Sequence, residues 1–197
     1  MMLPRILLAL SCMLPITAVA ESVLPSLAVQ NRKYTDTHEF TASVGTLPLD
    51  AFKKGLTLSG SYTLHFNDLF AWEVAQFFYS FAVETDLEAE LVAFDLKPTP
   101  FERVEQFVTS NILFKPLYWK GAWLNSGLGY GEFFLAAGGG YGWLTRTQRP
   151  VVNLGLGFRV YLHEMVSVRF DLRELAFISE NDTQNELWLG LGISLSP

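Results

Sequence analysis

Three histidines are the side chains of this chain best suited to proton transfer or metal binding. They are His38, His65 and His163, in the contexts Thr-His-Glu, Leu-His-Phe and Leu-His-Glu. None forms the His-x-Ser arrangement of one class of lipid A deacylases, and His163-Glu164 lacks the second histidine of a zinc-protease motif. The single cysteine, Cys12, excludes a zinc site built from several cysteines. The sequence therefore predicts no enzyme, no cofactor and no metal site, and gives the histidines structural or interfacial roles.

Charged residues that alternate with apolar ones could instead hold an ion, relay protons or pair with one another inside the protein. Four are basic and four are acidic: Glu73, Lys115, Glu132, Arg159, Arg169, Asp171, Arg173 and Glu186. In a narrow interior such charges must pair, because an isolated buried charge is costly. We expect them to plug a polar lumen with ion pairs and hydrogen bonds. A narrow ion path or proton relay and a ligand site are the alternatives.

The elements that position these side chains are β-strands, because apolar residues recur at every second position rather than with the helical period. In the segment 151–163 one face is apolar, while the other carries Asn153 and Arg159. Such patterns continue for ten or more residues, whereas strands of soluble proteins usually have about five or six. A tilted strand needs about 9–11 residues to cross a bilayer. Apolar outer faces and small, polar or charged inner faces are typical of a membrane barrel.

The chain contains eight such segments, an even number, as in bacterial single-chain outer-membrane barrels. They cover residues 38–47, 54–66, 70–84, 106–117, 127–143, 151–163, 165–177 and 184–196. Closure into a barrel removes the unpaired strand edges that lipid cannot satisfy. We predict an all-β fold, an eight-stranded antiparallel up-and-down transmembrane β-barrel over residues 38–197. Its interior should be filled by side chains, since a wide aqueous channel needs about 16 strands.

The connections between these segments predict an orientation. Asn67-Asp68 forms a tight turn, residues 163–165 join the sixth and seventh strands, and residues 118–126 form a modest link; all three are expected to be short periplasmic turns. The longest connection, residues 85–105, is then extracellular. It is a candidate partner-binding loop, or alternatively a lid that only covers the barrel mouth. Its candidate contact residues are Asp86, Glu88, Glu90, Phe94 and Phe101.

The first twenty residues read as a secretory signal peptide. Arg5 precedes a short apolar run, and Ala18-Val19-Ala20 is an A-x-A cleavage site. Cleavage after Ala20 is favoured over lipidation at Cys12, because the residues before Cys12 fit a lipidation site poorly. Residues 21–37 are predicted to form a periplasmic lead-in to the barrel.

Aromatic residues cluster near the predicted strand ends, where barrels carry interfacial girdles; ordinary aromatic packing is the alternative. One group would lie at the periplasmic side and the other at the outer side: Phe66, Phe70, Trp72, Tyr118, Trp119 and Trp123, and then Tyr141 and Trp143.

Several segments together resemble a family of small bacterial outer-membrane barrel domains found largely in myxobacteria and other proteobacteria. They are residues 49–55, 61–68, 70–73, 110–111, 115–118 and 155–161. The resemblance covers roughly residues 38–197, and it implies an outer-membrane location with no known general chemistry and no catalytic residues. One departure is the ending Leu195-Ser196-Pro197, where many outer-membrane proteins end in an aromatic residue. The alternating apolar run before it should still be recognised by the barrel-assembly machinery.

These observations predict a non-enzymatic outer-membrane protein that acts as an envelope structural element, an anchor or a component of an envelope complex. Its expected partners are outer-membrane lipid, the assembly machinery and an unknown envelope protein. A nucleic-acid partner is not expected, because the 197-residue chain has a net charge of −6 and lacks a basic footprint. Alternatives are a narrow-pore barrel, a barrel that binds or transports a small or hydrophobic ligand and, less favoured, a soluble periplasmic ligand-binding barrel.

Overall fold

The strands close into an antiparallel barrel in the computed structural model, which describes residues 32–34, 37–47, 53–84, 103–123, 127–179 and 183–197. They are β1 (His38–Leu47), β2 (Lys53–His65), β3 (Phe70–Glu84), β4 (Val104–Trp123), β5 (Gly127–Leu144), β6 (Gln148–His163), β7 (Val166–Ile178) and β8 (Thr183–Leu195). Each strand pairs with its neighbours in the chain, and β1 pairs with β8. The predicted eight-stranded antiparallel barrel is confirmed.

One strand differs clearly from its predicted bounds. Strand β4 continues to Trp123 and pairs with β5 as far as Gly127, so the prediction that residues 118–126 form a link was wrong. A proline removes a ladder hydrogen bond and usually marks a strand edge or a bulge. Here Pro116 falls within the register shift between Phe114 and Leu117, after which the ladder resumes.

The strand register sets the tilt of the barrel. Followed once around the barrel, the pairing that starts at Tyr130 returns to the same strand at Gly140. With this shear the strands tilt by roughly 35–45° from the barrel axis. At about 3.3 Å per residue, a 13-residue strand such as β7 rises about 32 Å along the axis. That height is close to the hydrocarbon thickness of a bilayer, about 30 Å.

The two ends of the barrel are unlike. The first end holds residues 32–34 and the β2–β3, β4–β5 and β6–β7 connections, together with the C-terminus. At this end β4 pairs with β3 only as far as Phe114 but with β5 as far as Trp123, so the β4–β5 hairpin extends beyond the rim. The second end holds the other four connections. Residues 85–102, which contain the candidate partner-binding residues of the connection after β3, lie outside the described residues. Residues 1–31, which include the predicted signal peptide, also lie outside them.

The outer wall is apolar over the height of the strands. Large apolar side chains project from all eight strands, among them Phe40, Leu58, Phe77, Ile112, Leu135, Leu154, Phe170 and Ile193. Within the described part of the chain, none of the secondary structure is a helix of the length and apolarity that a membrane crossing needs. The outer wall is therefore as apolar as the core of a soluble protein.

Most aromatic residues of the predicted girdles lie on the outer face near the barrel ends, but Tyr118 lies inside the barrel. Phe66, Phe70 and Trp72 are exposed near the first end, and Tyr141 and Trp143 are exposed near the second end. Tyr118, predicted to belong to the periplasmic girdle, is buried inside the barrel mouth. Its inward position follows from the irregularity near Pro116, which resets the alternation of β4. Trp119 lies outside, where its indole covers Gly131 and stacks on Phe158 with ring centres 5.6 Å apart.

The interior of the second-end half is an apolar cluster, although the sequence predicted a small, polar or charged inner face. The cluster contains Leu47, Phe78, Val104, Phe107, Leu144, Val151, Leu175, Phe177 and Trp188. Phe78 stacks on Phe107 at 4.0 Å and meets Trp188 edge-on at 4.9 Å between ring centres. Inward glycines provide the room for these rings, since a Cβ on Gly190 would lie 2.2 Å from the Trp188 ring.

Candidate functional site: a charged lumen with a pocket at its first end

All eight charged residues selected from the sequence have buried side chains inside the barrel. Seven of them take part in ion pairs that also include Glu39. Glu186 lies apart, near the second end, where Gln184 Nε2 donates to its Oε1 at 2.7 Å. Alternation along the strands therefore placed these eight charges on inner faces, but it did not show which of them would meet.

The central cluster contains two arginines and two carboxylates. Arg169 Nη2 donates to Glu73 Oε2 at 2.8 Å, and Arg173 Nη1 donates to Glu73 Oε1 at 2.8 Å. Asp171 accepts from Arg169 Nε at 2.8 Å and from Arg173 Nη2 at 2.9 Å. Asn111 is the third side chain that donates to Glu73, through its Nδ2 at 2.6 Å. The alternating order Arg169, Asp171, Arg173 along β7 points all three inward, so each arginine reaches two carboxylates.

A second cluster lies toward the first end around Arg159. Its Nη1 donates to Glu132 Oε1 at 2.6 Å, and its Nη2 donates to Glu39 Oε1 at 2.6 Å. Arg169 connects the two clusters, because its Nη1 lies 3.9 Å from Glu39 Oε1, and its guanidinium lies 4.6 Å from the centre of the Phe134 ring. Charge-assisted pairs with this geometry offset the desolvation of buried ions.

Glu39 is a lumen residue that sequence reasoning missed. The sequence does contain a signal for Glu39: buried and exposed residues alternate along β1, which places Glu39 on the same buried face as Thr41 and Ser43. The hydroxyls of this face continue the network, with Thr41 Oγ1 and Ser194 Oγ 2.8 Å apart and Ser43 Oγ and Ser59 Oγ 2.9 Å apart. The strand is short and carries one charge, so its polar face gives a weaker pattern than that of β7.

The histidines occupy three different environments. His65 has a side chain only 3% exposed, with Nε2 2.8 Å from Glu39 Oε2 and Nδ1 2.9 Å from Lys115 Nζ. His38 is exposed on the outer face, where its Nδ1 lies 2.9 Å from the Tyr62 hydroxyl. His163 is exposed at the end of β6. Within the described ranges no group of three or more His, Cys, Asp or Glu side chains is placed to hold a metal ion.

Residues 32–34 form a strap that lies across the first end of the barrel. Arg32 Nη1 donates to Glu132 Oε2 at 3.2 Å, and its guanidinium lies 5.2 Å from the centre of the Tyr118 ring. Tyr34 stacks on Tyr161 with ring centres 4.9 Å apart. The side-chain hydrogen bond of Lys33 with Tyr34 raises the pKa of this exposed lysine. No strand pattern includes the strap, so no sequence signal predicts that Arg32 enters the lumen.

A polar pocket of about 220 Å³ lies beneath the strap. Its wall includes Arg32, His65, Asn67, Lys115, Glu132 and Tyr161. The pocket connects the charged network with the first end of the barrel, and it is the part of the site at which a small polar molecule can meet a titratable side chain.

The solved structures that resemble this chain share little sequence identity with it. No protein-family model and no curated protein matches the chain, so membership of the resembled family stays a prediction. Neisserial surface protein A (NspA) is 11% identical, with a TM-score of 0.44 over 82% of this chain and 97% of that chain.

Two further solved structures have similar scores. The N-terminal β-barrel domain of Pseudomonas aeruginosa OprF is 13% identical, with a TM-score of 0.43 over 80% of this chain and 95% of that chain. A de novo designed transmembrane β-barrel is 8% identical, with a TM-score of 0.43 over 84% of this chain and all of that chain. Because these scores are below 0.5, the function is argued below from this chain's own wall and lumen.

Proposed function

We propose that the chain is a bacterial outer-membrane β-barrel that spans the membrane with its eight strands. The observation that carries this proposal is the inversion of polarity. Exposed apolar side chains such as Leu154 (67% exposed) and Ile193 (57% exposed) cover the outer wall, while Glu73 and Arg159 are fully buried in the lumen. A soluble barrel would expose its charges and bury these apolar residues. A bilayer is the solvent that matches this arrangement, and outer-membrane lipid is therefore the first partner.

The orientation follows from the ends of the barrel. Outer-membrane barrels have short periplasmic turns and longer extracellular loops. Residues 66–69 and 164–165 are short first-end connections, whereas residues 85–103 join β3 to β4 at the second end. We therefore assign the first end to the periplasm, after export directed by residues 1–20 and insertion by the barrel-assembly machinery.

The filled lumen favours a structural role over an enzymatic one. The charged clusters occupy the first-end half, and the cluster around Phe78 and Trp188 occupies the second-end half. The ion pairs act as a plug that holds opposite strands together, because each arginine joins carboxylates from different strands. Such a protein would serve as an envelope structural element, an anchor or a component of an envelope complex.

Membrane fractionation followed by a heat-modifiability gel tests this proposal. A barrel of this kind should be recovered in the outer membrane and should migrate differently when it is not boiled. Recovery as a soluble periplasmic protein without a gel shift would contradict the outward-facing assignment of the apolar wall.

Contact with an envelope partner is assigned to the connection after β3. Its candidate residues Asp86, Glu88, Glu90, Phe94 and Phe101 combine acidic and aromatic side chains, and binding residues are concentrated on loops. Deleting residues 86–100 should leave the gel shift unchanged and abolish capture of the partner in crosslinking pull-downs. Capture that survives the deletion would refute this assignment.

A narrow conducting or ligand-binding lumen is the second candidate function. It is favoured by buried polar atoms of the described residues that have no hydrogen-bond partner, among them Gln76 Oε1 and Asn153 Oδ1, because buried polar groups of this kind commonly bind water. Liposome swelling in small neutral and charged solutes tests it. Swelling equal to that of empty vesicles would eliminate transport and leave the plugged barrel.

A further inference from the structure

The first-end pocket contains an amine that the charge network leaves poorly neutralised. The side chain of Lys115 is only 6% exposed, and its Nζ lies 4.0 Å from the nearest oxygen of Glu132. That carboxylate is already engaged by two guanidiniums, since it accepts from Arg159 at 2.6 Å and from Arg32 at 3.2 Å. Desolvation and neighbouring cations both favour the neutral form of a lysine. These are the conditions that turn an amine into a nucleophile.

A proton acceptor is in direct contact with this amine. Lys115 Nζ lies 2.9 Å from Nδ1 of His65, and His65 Nε2 lies 2.8 Å from Glu39 Oε2. An ammonium group can only donate, so with charged Lys115 the imidazole accepts at Nδ1 and donates from Nε2 to Glu39. After proton transfer the same contacts hold a neutral amine and an imidazolium paired with Glu39. The order of nucleophile, base and orienting carboxylate is that of an activated nucleophile.

We propose that Lys115 is a reactive amine that forms a Schiff base with small aldehydes or keto acids entering the first-end pocket. The pocket volume of about 220 Å³ limits the class to small molecules. Its polar wall includes the guanidinium of Arg32, a donor suited to a carboxylate. Small carbonyl compounds that carry a carboxylate therefore fit both the volume and the charge.

The reaction balances without an oxidant or a reductant. The lone pair of Lys115 Nζ attacks the carbonyl carbon, and the carbonyl π-electrons move to oxygen, which takes up a proton. His65 carries both nitrogen protons to that oxygen: the first forms the hydroxyl group of the carbinolamine, and the second is transferred as this group departs as water. The products are one carbon–nitrogen double bond and one water molecule. Glu39 is a positioning residue, because it acts only by orienting the imidazole and stabilising its charged form.

Reductive trapping on the full chain, folded in detergent or lipid, tests the proposal. Glyoxylate is the probe and cyanoborohydride reduces the imine, and peptide mass spectrometry then measures the modification rate of each lysine. Lys33 and Lys120 are internal references, since both are exposed and the raised pKa of Lys33 keeps it protonated. Because burial and the neighbouring cations favour a larger fraction of neutral amine at Lys115 than at these references, we expect Lys115 to react about tenfold faster.

Two histidine variants separate activation from simple accessibility. His65→Gln should lower the Lys115 rate about tenfold, whereas His38→Gln, which changes the histidine of the outer face, should leave it unchanged. Glu39→Gln removes the negative charge that stabilises the proton on the Lys115–His65 pair, so it should move the pH of half-maximal trapping downward without abolishing the adduct. The gel shift of each variant verifies that the barrel is closed, so loss of the fold and loss of reactivity are distinguished.

Three results would overturn the inference: a Lys115 rate no higher than that of Lys33 and Lys120, an adduct formed only after unfolding, or an unchanged rate in His65→Gln. None of these results concerns the location of the barrel. The proposed outer-membrane function determines only that the pocket opens toward the periplasm, and fractionation tests that function separately.

Discussion

Glu73→Gln is the perturbation that most directly tests whether the lumen charges hold the barrel together. Glu73 is fully buried and accepts from Arg169, Arg173 and Asn111. The amide keeps the shape of the side chain but removes one negative charge, so two arginines share the single carboxylate of Asp171. Leaving a buried charge without its partner typically costs about 3–5 kcal/mol. One amide oxygen can still accept, so we expect the lower part of this range, about 3 kcal/mol.

The assay is urea unfolding of the protein in lipid bilayers, followed by tryptophan fluorescence and by the gel shift. Glu105→Gln is the matched control, because Glu105 lies on the exposed face of β4 near the second end and should change the free energy of unfolding by less than about 0.5 kcal/mol. The double variant Glu73→Gln/Arg173→Met removes the unpaired charge as well and should be less destabilised than the sum of the single variants. A loss below about 1 kcal/mol for Glu73→Gln, or strict additivity, would refute the view that this cluster is a buried, mutually dependent set of ions.

Three further changes test the wall, the lumen packing and the strap. Leu154→Arg should destabilise the barrel by about 2–4 kcal/mol if this residue faces the bilayer midplane, whereas Leu154→Phe should have little effect; both are measured by urea unfolding in bilayers. Gly157→Val should prevent the gel shift, since a Cβ there would lie 2.1 Å from the Phe134 ring, and adding Phe134→Ala should restore it. Tyr34→Ala should lose about 0.5–1.5 kcal/mol from its stack on Tyr161 without changing the gel shift, and an absent shift would mean that the strap is needed for closure.

The strand count and the inward charges could be predicted because both depend on the two-residue repeat alone. In β7 the repeat is long and unambiguous, and by itself it places Arg169, Asp171 and Arg173 on one face. The end of β4 could not be predicted, since Pro116 interrupts the repeat and only the pairing with β5 shows that the strand continues. That interruption also reversed the expected side of Tyr118.

The sequence does not predict which side chains pair across the lumen, because these contacts join strands that are distant in the chain. The pairing of Arg159 with Glu39 depends on barrel closure, because β6 and β1 are not adjacent in the sheet, whereas Glu132 lies directly opposite Arg159 on the neighbouring strand β5. The entry of Arg32 into the lumen depends on the tyrosines around the mouth, which no local pattern connects with the strap. A repeat along one strand specifies a face, whereas the identity of the partner across the lumen is set by shear and strand tilt.

The lumen is polar in one half and apolar in the other, and this asymmetry gives its two halves different physical roles. Around Phe78 and Trp188 the rings occupy the space that inward glycines leave, so this half resembles the core of a soluble protein. The other half contains ion pairs in place of that packing. If the first end faces the periplasm, water and small solutes meet the charged half first, while the aromatic half separates that chemistry from the cell exterior. A pocket with Lys115 and His65 on its wall is therefore compatible with a barrel whose lumen is otherwise filled.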